Sequence, residues 1–218
     1  MNVSLNVDVN FMYPSGFEVG ACFEAAGGKT VSLVGPSGSG KSTLLSLLSG
    51  LLNPRDGRIE VGKRLLYCSE QSTNLKPWHR KVGLLFQHDT LFPHLTVRKN
   101  LLFGARPDSD SPWQLNEIVN AFEISELLDR IPDQLSGGQR DRVALGRTLL
   151  SQPDVLLLDE PLSSVEEELR NRVFDFVEQG VAKQGIPSIL VSHDSGLLSR
   201  VKGPVFEMAG GKLSGLGR

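Results

Sequence analysis

The chain has 218 residues, 39% of them hydrophobic, and its 23 basic and 25 acidic side chains give a formal charge of −2. A charge so close to zero argues against bulk electrostatic binding to nucleic acid or acidic lipid. No apolar run reaches the roughly 18 residues that a membrane span needs, and the first residues do not resemble a secretory signal, so we expect neither feature.

Short apolar runs alternate with helical stretches along the chain, which is typical of α/β proteins. Leu5, Val7 and Val9 alternate with polar residues and predict a half-buried strand near the N-terminus. Residues 155–158 are wholly apolar and predict a strand that is covered on both faces. The other predicted strands are 30–34, 58–61 with 63–67 as its partner, 81–86 and 188–191, and the predicted helices are 42–52, 139–150 and 166–179.

The stretch from 87 to 135 differs in character from the rest of the chain. Prolines punctuate it, and residues 113–128 have helical periodicity. We therefore predict a single domain over 1–218, in which residues 1–86 and 136–218 form the core and residues 87–135 form an inserted helical lobe.

Residues 35–43 read GPSGSGKST and match the P-loop pattern G-x-x-x-x-G-K-[ST] between an apolar strand and a helix. Glycines let the backbone wrap closely around a phosphate, and the helix N-terminus adds a positive field. Lys41 can reach the β- and γ-phosphates of a nucleotide, and the Ser42 hydroxyl can bind Mg²⁺. The other predicted members of this phosphate cradle are Gly35, Pro36, Ser37, Gly38, Ser39, Gly40 and Thr43.

Two carboxylates end the buried strand VLLLDE at residues 155–160. Such a pair is the expected second half of a P-loop site. Asp159 is placed to hold the Mg²⁺ shell, and Glu160 is placed to polarise an attacking water.

Residues 135–139 read LSGGQ and precede a predicted helix. Ser136 followed by two glycines at a helix N-terminus is a second device for binding an anion, although taken alone it could be a simple capped helix start. One chain needs only one cradle for a γ-phosphate. A second cradle therefore makes sense if it serves a nucleotide that another copy of the chain holds.

The order of these motifs resembles that of the nucleotide-binding subunits of ABC transporters. GPSGSGKST is followed by Gln87 at a strand end, then by LSGGQ, VLLLDEP and finally VSHD, which contains His193. The resemblance implies a P-loop NTPase core of ABC-ATPase type, with an N-terminal antiparallel β portion and an inserted α-helical lobe. It also implies ATP and Mg²⁺ as ligands and ATP hydrolysis coupled to transport.

The same resemblance assigns roles to individual residues. Gln87 senses the Mg²⁺–nucleotide site and contributes to the metal shell, and His193 contacts the γ-phosphate. Ser136, Gly137, Gly138 and Gln139 close on the ATP of the partner. Tyr13 stacks on adenine, with Phe17 as its rival.

The implied partners are a second copy of the chain, integral-membrane permease subunits and a solute-binding protein, without nucleic acid. The implied location is the cytoplasmic face of the cell membrane. We expect the permease to dock near residues 87–95, because Leu91, Phe92 and Leu95 form an apolar segment there. Glu166 stands where the family usually has an aspartate at the dimer interface, and it adds one methylene.

A narrower resemblance, carried by residues 81–104 and by LLDRIPDQLSGGQ, is to the ATPases of molybdate and related oxyanion importers. Those subunits usually have a further C-terminal domain. This chain stops soon after GGKLSGLGR, so we expect that domain to be absent.

The main alternative is an ABC-type ATPase that acts on nucleic acid or ribosomes. Repair and chromosome members of that class place a long coiled coil between the P-loop and LSGGQ, but this chain has fewer than a hundred residues there and no heptads. Translation-type members have two cassettes in one chain, whereas this chain has one. A P-loop kinase or GTPase would leave LSGGQ unexplained.

Overall fold

A computed structural model describes residues 3–87, 91–106 and 110–216 of the chain. In these residues one mixed sheet has the strand order β6-β5-β4-β1-β2-β11-β10-β3-β9-β8-β7. The strands are β1 (Leu5–Met12), β2 (Glu18–Ala25), β3 (Thr30–Val34), β4 (Asp56–Val61), β5 (Arg64–Cys68), β6 (Thr73–Asn74), β7 (Val82–Leu85), β8 (Val155–Asp159), β9 (Ser188–Val191), β10 (Val205–Ala209) and β11 (Lys212–Leu216).

Helices lie in the connections between these strands. They are α1 (Lys41–Ser49), α2 (Pro77–Arg80), α3 (Val97–Leu102), α4 (Leu115–Ala121), α5 (Gly137–Leu150), α6 (Glu167–Gln184) and α7 (Ser195–Arg200), with 3-10 turns at Ser125–Leu127 and Pro132–Gln134. Between β7 and α5 the described residues form only helices and turns, as expected of the inserted lobe. Within the described part of the chain, no helix is both long and apolar enough to cross a bilayer.

The N-terminal part of the sheet is antiparallel, as predicted. β1 pairs with β2 on one side and with β4 on the other, so that Val7 lies opposite Phe23 and Ile59. The alternation along β1 buries Leu5, Val7 and Val9, while Asp8 and Asn10 are exposed. This period of two is the pattern of a strand with one face against the core.

The other part of the sheet is parallel and is buried on both faces. β3, β9, β8 and β7 pair in parallel, and all five residues of β8 are buried. Leu156 and Leu158 join a core cluster with residues of α5 and α6, whereas Val155 and Leu157 join the opposite cluster with residues of α1. A strand packed on both faces must be apolar throughout, which explains the run VLLL.

Three of the predicted helices have a different C-terminal end in the structure. α1 ends at Ser49 instead of 52, because Gly50 adopts a left-handed conformation with φ of 83°. The predicted helix 113–128 is shorter, since α4 ends at Ala121 and a 3-10 turn follows. α6 continues past 179 to Gln184 and ends where Gly185 adopts a left-handed conformation with φ of 67°. Gly180 lies inside the helix against Trp113, and a Cβ there would lie 2.1 Å from the indole nitrogen.

Candidate active site

The P-loop follows β3 and leads into α1, as its sequence pattern predicts. Gly35 has φ of 141°, and a Cβ on it would lie 2.1 Å from the carbonyl oxygen of Met208 on β10. Glycine is therefore required there by both backbone conformation and close packing. Gly40 is the N-cap of α1 and has no side chain that could occupy the first N–H groups of the helix. The start of α1 is thus suited to an anionic ligand.

Lys41 is the first residue of α1 and is only 8% exposed. Its Nζ donates hydrogen bonds to the carbonyl oxygens of Gly35 at 2.7 Å and Pro36 at 2.9 Å. An ammonium group has three protons to donate, so these two bonds hold it over the loop and leave one proton for a phosphate oxygen.

Asp159 and Glu160 end β8 beside the P-loop. Asp159 is 5% exposed. Glu160 leaves the strand in a left-handed conformation, with φ of 50°, and its N–H donates to the carbonyl of Val191 at 2.9 Å. A non-glycine residue rarely adopts this conformation, which is typical of constrained functional positions.

The Glu160 carboxylate faces His193 across the ends of β8 and β9. The His193 backbone N–H donates to Glu160 Oε2 at 3.4 Å, and His193 Nε2 lies 3.5 Å from Glu160 Oε1. Oε1 is buried and has no hydrogen-bond partner among the residues that the structure describes. A carboxylate without a full set of donors keeps the capacity to accept another hydrogen bond.

One cleft of about 530 Å³ brings these groups together. Its lining includes P-loop residues 37–43 together with Gln87, Asp159, Glu160 and His193. Tyr13 and Phe17 also line it, with ring centroids 6.3 Å apart, and the Tyr13 hydroxyl is 3.0 Å from Thr43 Oγ1. The structure therefore supports an aromatic wall but does not choose between the two rings.

The cleft fits a nucleotide with Mg²⁺ better than a metal held by protein alone. In the described ranges, no group of three or more His, Cys, Asp and Glu side chains could hold a metal ion. Ser42, Asp159 and Gln87 supply only a few oxygen ligands in the cleft. Mg²⁺ commonly takes one or two carboxylates and completes its shell with water and phosphate oxygens, so this sparse donor set is suitable for it.

The LSGGQ residues do not line this cleft. Ser136 is exposed and is the N-cap of α5; its Oγ accepts from the Gln139 N–H at 3.3 Å, and Gln139 Oε1 accepts from the Ser136 N–H at 2.9 Å. A Cβ on Gly138 would lie 2.5 Å from the carbonyl oxygen of Ser164, so packing explains this glycine. The structure places Ser136, Gly137, Gly138 and Gln139 outside the cleft of their own chain.

Arg80 supports the P-loop helix from its other end and was not predicted from the sequence. Its side chain is fully buried, and Nη1 donates to the carbonyls of Leu47 and Leu48, the last turn of α1, at 2.8 and 3.0 Å. Burial lowers the pKa of Arg80 to about 10, so it remains charged at neutral pH. A cation at a helix C-terminus is favourable, but no local sequence pattern marks this contact.

Comparison with known proteins agrees with this geometry. A family model described as ABC transporter matches residues 20–163, more than half of the chain. The chain is 40% identical over 205 residues to the molybdenum import ATP-binding protein ModC of Brucella abortus, and 44% identical over 162 residues to that of Vibrio parahaemolyticus. These matches cover 92% and 74% of this chain but only 56% and 44% of the relatives. The chain thus spans about half the length of the curated relatives.

Solved structures give the same fold. An ATP-bound bacterial Atm1-family ABC exporter superimposes with a TM-score of 0.78 at 26% identity, covering 98% of this chain and 38% of the exporter chain. The ADP conformation of an ATP-binding cassette of an ABC transporter superimposes with a TM-score of 0.75 at 23% identity, covering 98% of this chain and 89% of the cassette; at that identity it supports the fold alone. The matched family model and the two relatives establish that this chain belongs to the ABC transporter family.

Proposed function

We propose that the chain binds ATP with Mg²⁺ and hydrolyses it to drive a membrane transporter. The observation that carries this proposal is the single cleft that joins the P-loop with Gln87, Asp159, Glu160 and His193. The family and the relatives favour this function over an ATPase that acts on nucleic acid or ribosomes. We assign the activity to one ABC ATPase domain over residues 1–218, with the helical lobe at 87–135.

Each group in the cleft has a chemical role in this proposal. Lys41 and the first N–H groups of α1 bind the β- and γ-phosphates. Ser42 and Asp159, with Gln87, hold Mg²⁺, which neutralises phosphate charge when it is bound. Glu160 orients the attacking water and accepts its proton. His193 donates a hydrogen bond to the γ-phosphate, and Tyr13 stacks on adenine.

The second part of the proposal is that two copies share each nucleotide. Ser136 is exposed and Gly137, Gly138 and Gln139 are half-buried at the start of α5, outside the cleft of their own chain. They are at the N-terminus of a helix of 14 residues, where backbone N–H groups and the helix dipole favour an anion. The partner's γ-phosphate is the anion that would complete this arrangement.

The membrane partner is proposed to dock near residues 87–95, where Leu91, Phe92 and Leu95 form an apolar segment. Phe86 precedes this segment, and Phe103 packs against Phe92. Phe86 and Phe103 are 42% and 54% exposed, and the Phe92 and Phe103 rings lie 4.2 Å apart. Exposed apolar groups that lie together are typical of interfaces. Residues 88–90 of the predicted docking segment lie outside the described residues.

Docking is tested by cross-linking single cysteines to the permease. A cysteine at Phe86 or Phe103 should cross-link, whereas one at Trp78, which is 70% exposed on α2, serves as an exposed aromatic control. Cross-links from position 78 alone would contradict this docking site.

The transported solute is proposed to be molybdate or a related oxyanion, delivered by a solute-binding protein, with the chain at the cytoplasmic face of the membrane. The similarity to the import ATP-binding proteins supports this choice. ATPase residues face nucleotide and cannot identify the cargo themselves. Membrane vesicles that contain the chain and its permease should take up molybdate but not chloride.

Hydrolysis is tested by phosphate release from the purified chain with and without Mg²⁺. Asp159→Asn should reduce Mg²⁺-dependent release by at least about a hundredfold, because it removes a charged ligand from the cleft. Asp154→Asn is the matched control: it lies just before the same strand, but at the opposite end, and pairs with Arg64 at 3.0 Å. Release that is independent of Mg²⁺, or equal effects of the two variants, would contradict the proposal.

A further inference from the structure

Arg170, on α6, contacts two segments of the chain, and each segment adjoins a residue of the proposed site. Its Nη2 lies 2.7 Å from Asp194 Oδ2, and its Nη1 donates to the carbonyl oxygen of Val165 at 3.3 Å. The side chains of Arg170 and Asp194 are 17% and 28% exposed, so water screens this ion pair less than a surface pair. One guanidinium thus joins the segment after Glu160 to the segment that contains His193.

Asp194 is held at both carboxylate oxygens. Oδ1 accepts from the N–H groups of Gly196 and Leu197 at 2.7 and 3.1 Å and caps α7, while Oδ2 faces Arg170. The Asp194 N–H donates to Ser192 Oγ at 3.0 Å. His193 lies between these two fixed residues, so the position of its backbone depends on where Arg170 holds Asp194.

The segment on the other side of Arg170 is the loop of residues 161–166, which follows Glu160. Leu162 has φ of 61°, and its carbonyl accepts from the Val165 N–H at 3.0 Å. The Ser164 N–H donates to Asp141 Oδ2 on α5 at 3.2 Å, which joins this loop to the helix that begins at LSGGQ. Arg170 therefore fixes this loop relative to His193.

We propose that Arg170 is a positioning residue for ATP hydrolysis: by binding Val165 and Asp194 together, it sets the placement of His193 relative to Glu160. Arg170 is absent from the lining of the cleft and acts through the segments that it joins. This inference rests on the proposed ATPase function. A charge-assisted pair of this kind is geometrically specific, and a displacement of about 1 Å in a catalytic group can reduce turnover about a hundredfold.

The first experiment measures kcat and KM for ATP of the wild-type chain and of Arg170→Met. We expect kcat to fall about tenfold to a hundredfold, while KM changes less than about threefold, because the phosphate contacts of the P-loop are retained. The matched control is Arg172→Met on the same helix, whose ion pair with Glu123 is also 2.7 Å long but is exposed on both sides. Its kcat should stay within about twofold of wild type.

A double variant separates positioning from general weakening of the fold. If Arg170 acts through His193, adding Arg170→Met to His193→Ala should reduce kcat less than about twofold further. Asp194→Asn provides a second variant, because asparagine keeps an oxygen for the cap of α7 but loses the charge that attracts Arg170. It should reproduce the Arg170→Met effect on kcat.

NMR of the His193 ring without nucleotide gives a readout that is independent of hydrolysis. The resonance, assigned by its loss in His193→Ala, should shift in Arg170→Met and stay unchanged in Arg172→Met. Full additivity with His193→Ala, an unshifted resonance, or an Arg170→Met kcat equal to wild type would overturn the inference. A wild-type chain that hydrolyses no ATP would instead overturn the proposed function.

Discussion

The chain begins two helices with glycine-rich segments, and the two starts are built differently. At α1, glycines of the P-loop adopt left-handed conformations, and Gly40 leaves the first N–H groups of the helix without a side-chain cap. At α5, Ser136 and Gln139 form a reciprocal capping box, and the glycines lie within the helix itself. The first start has no side-chain cap, whereas at the second start side chains pair with the N–H groups of Ser136 and Gln139.

This difference indicates why one start lies in a cleft and the other on the surface. A helix N-terminus without a cap leaves donors that need partners, and Lys41 adds a positive charge beside them. In the isolated chain, the capping box of the LSGGQ signature (residues 135–139) supplies partners to the N–H groups of Ser136 and Gln139. The P-loop is thus suited to holding nucleotide alone, and the signature is suited to meeting a nucleotide that another subunit already holds.

The largest effect is expected at Glu160, on the P-loop side of this comparison. Glu160→Gln retains shape and hydrogen bonding but cannot accept a proton, so hydrolysis should slow by at least about a hundredfold. ATP should bind at least as tightly, because a negative charge near the triphosphate is removed. Phosphate release and equilibrium titration with ATP measure the two effects. The control Glu207→Gln, on β10 and outside the cleft, should change neither the hydrolysis rate nor the affinity for ATP. If Glu160→Gln hydrolyses ATP at the wild-type rate, Glu160 is not the base.

Binding of nucleotide to the single chain should distinguish the two helix starts. Lys41→Ala removes a charge-assisted hydrogen bond worth about 1.5–3 kcal/mol, so affinity for an ATP analogue should fall about tenfold to a hundredfold. Ser136→Ala removes the cap of α5 and should lower the free energy of unfolding by about 1 kcal/mol, with unchanged affinity in the single chain. Equal losses of affinity in both variants would show that the signature belongs to the site of its own chain.

A pH dependence is expected at the strand that leads into the P-loop. Burial raises the pKa of Glu178, the charge of Asp175 raises it further, and a hydrogen bond from Thr30 on β3 opposes the shift. The folded chain therefore holds this proton more tightly than the unfolded chain. The resulting stability is present below the unfolded pKa of 4.5 and is lost as pH rises through the folded pKa.

Glu178→Gln removes this titration while keeping an acceptor for Thr30. The thermal midpoint of the variant minus that of wild type should therefore be larger at about pH 8 than at about pH 4. Thermal unfolding of the nucleotide-free chain at the two pH values measures this. A difference between the two proteins that does not change with pH would contradict the shifted pKa.

The smallest effect on nucleotide binding is expected at Glu166. This residue is the exposed N-cap of α6, and its side chain makes no capping hydrogen bond. Aspartate is a better N-cap, so Glu166→Asp should raise the free energy of unfolding by a few tenths to about 1 kcal/mol. The ATP affinity of the single chain should change less than about twofold. Turnover should change, because the carboxylate of residue 166 moves by roughly 1 Å. A large loss of affinity, measured by titration, would assign Glu166 another role.

Sequence alone predicted those features whose conformation and chemistry are encoded in the same short segment. The P-loop and the VLLLDE strand are examples, because each joins a backbone pattern to reactive side chains. The paired strands β10 and β11 were not predicted, since their place between β2 and β3 depends on distant segments. The predicted helix 166–179 was too short, and the packing of Gly180 inside α6 was not predicted because its partner, Trp113, is 67 residues away.

Supporting charges were the least predictable part of the site. Arg80 contacts α1 more than 30 residues earlier in the chain, and Arg170 joins two loops on either side of α6. Neither arginine stands in a pattern that distinguishes it from surface arginines such as Arg172. Their importance follows only from burial and from the groups that they join in three dimensions.

The central claim, that one chain's signature completes the site of another, is tested most directly by ATP-dependent dimerisation. Light scattering after size-exclusion chromatography should show Glu160→Gln as a dimer with ATP and as a monomer without it. Adding Ser136→Arg to that variant should abolish the dimer, while the monomer binds ATP with unchanged affinity. A double variant that still dimerises with ATP, or that loses ATP binding as a monomer, would contradict the shared site.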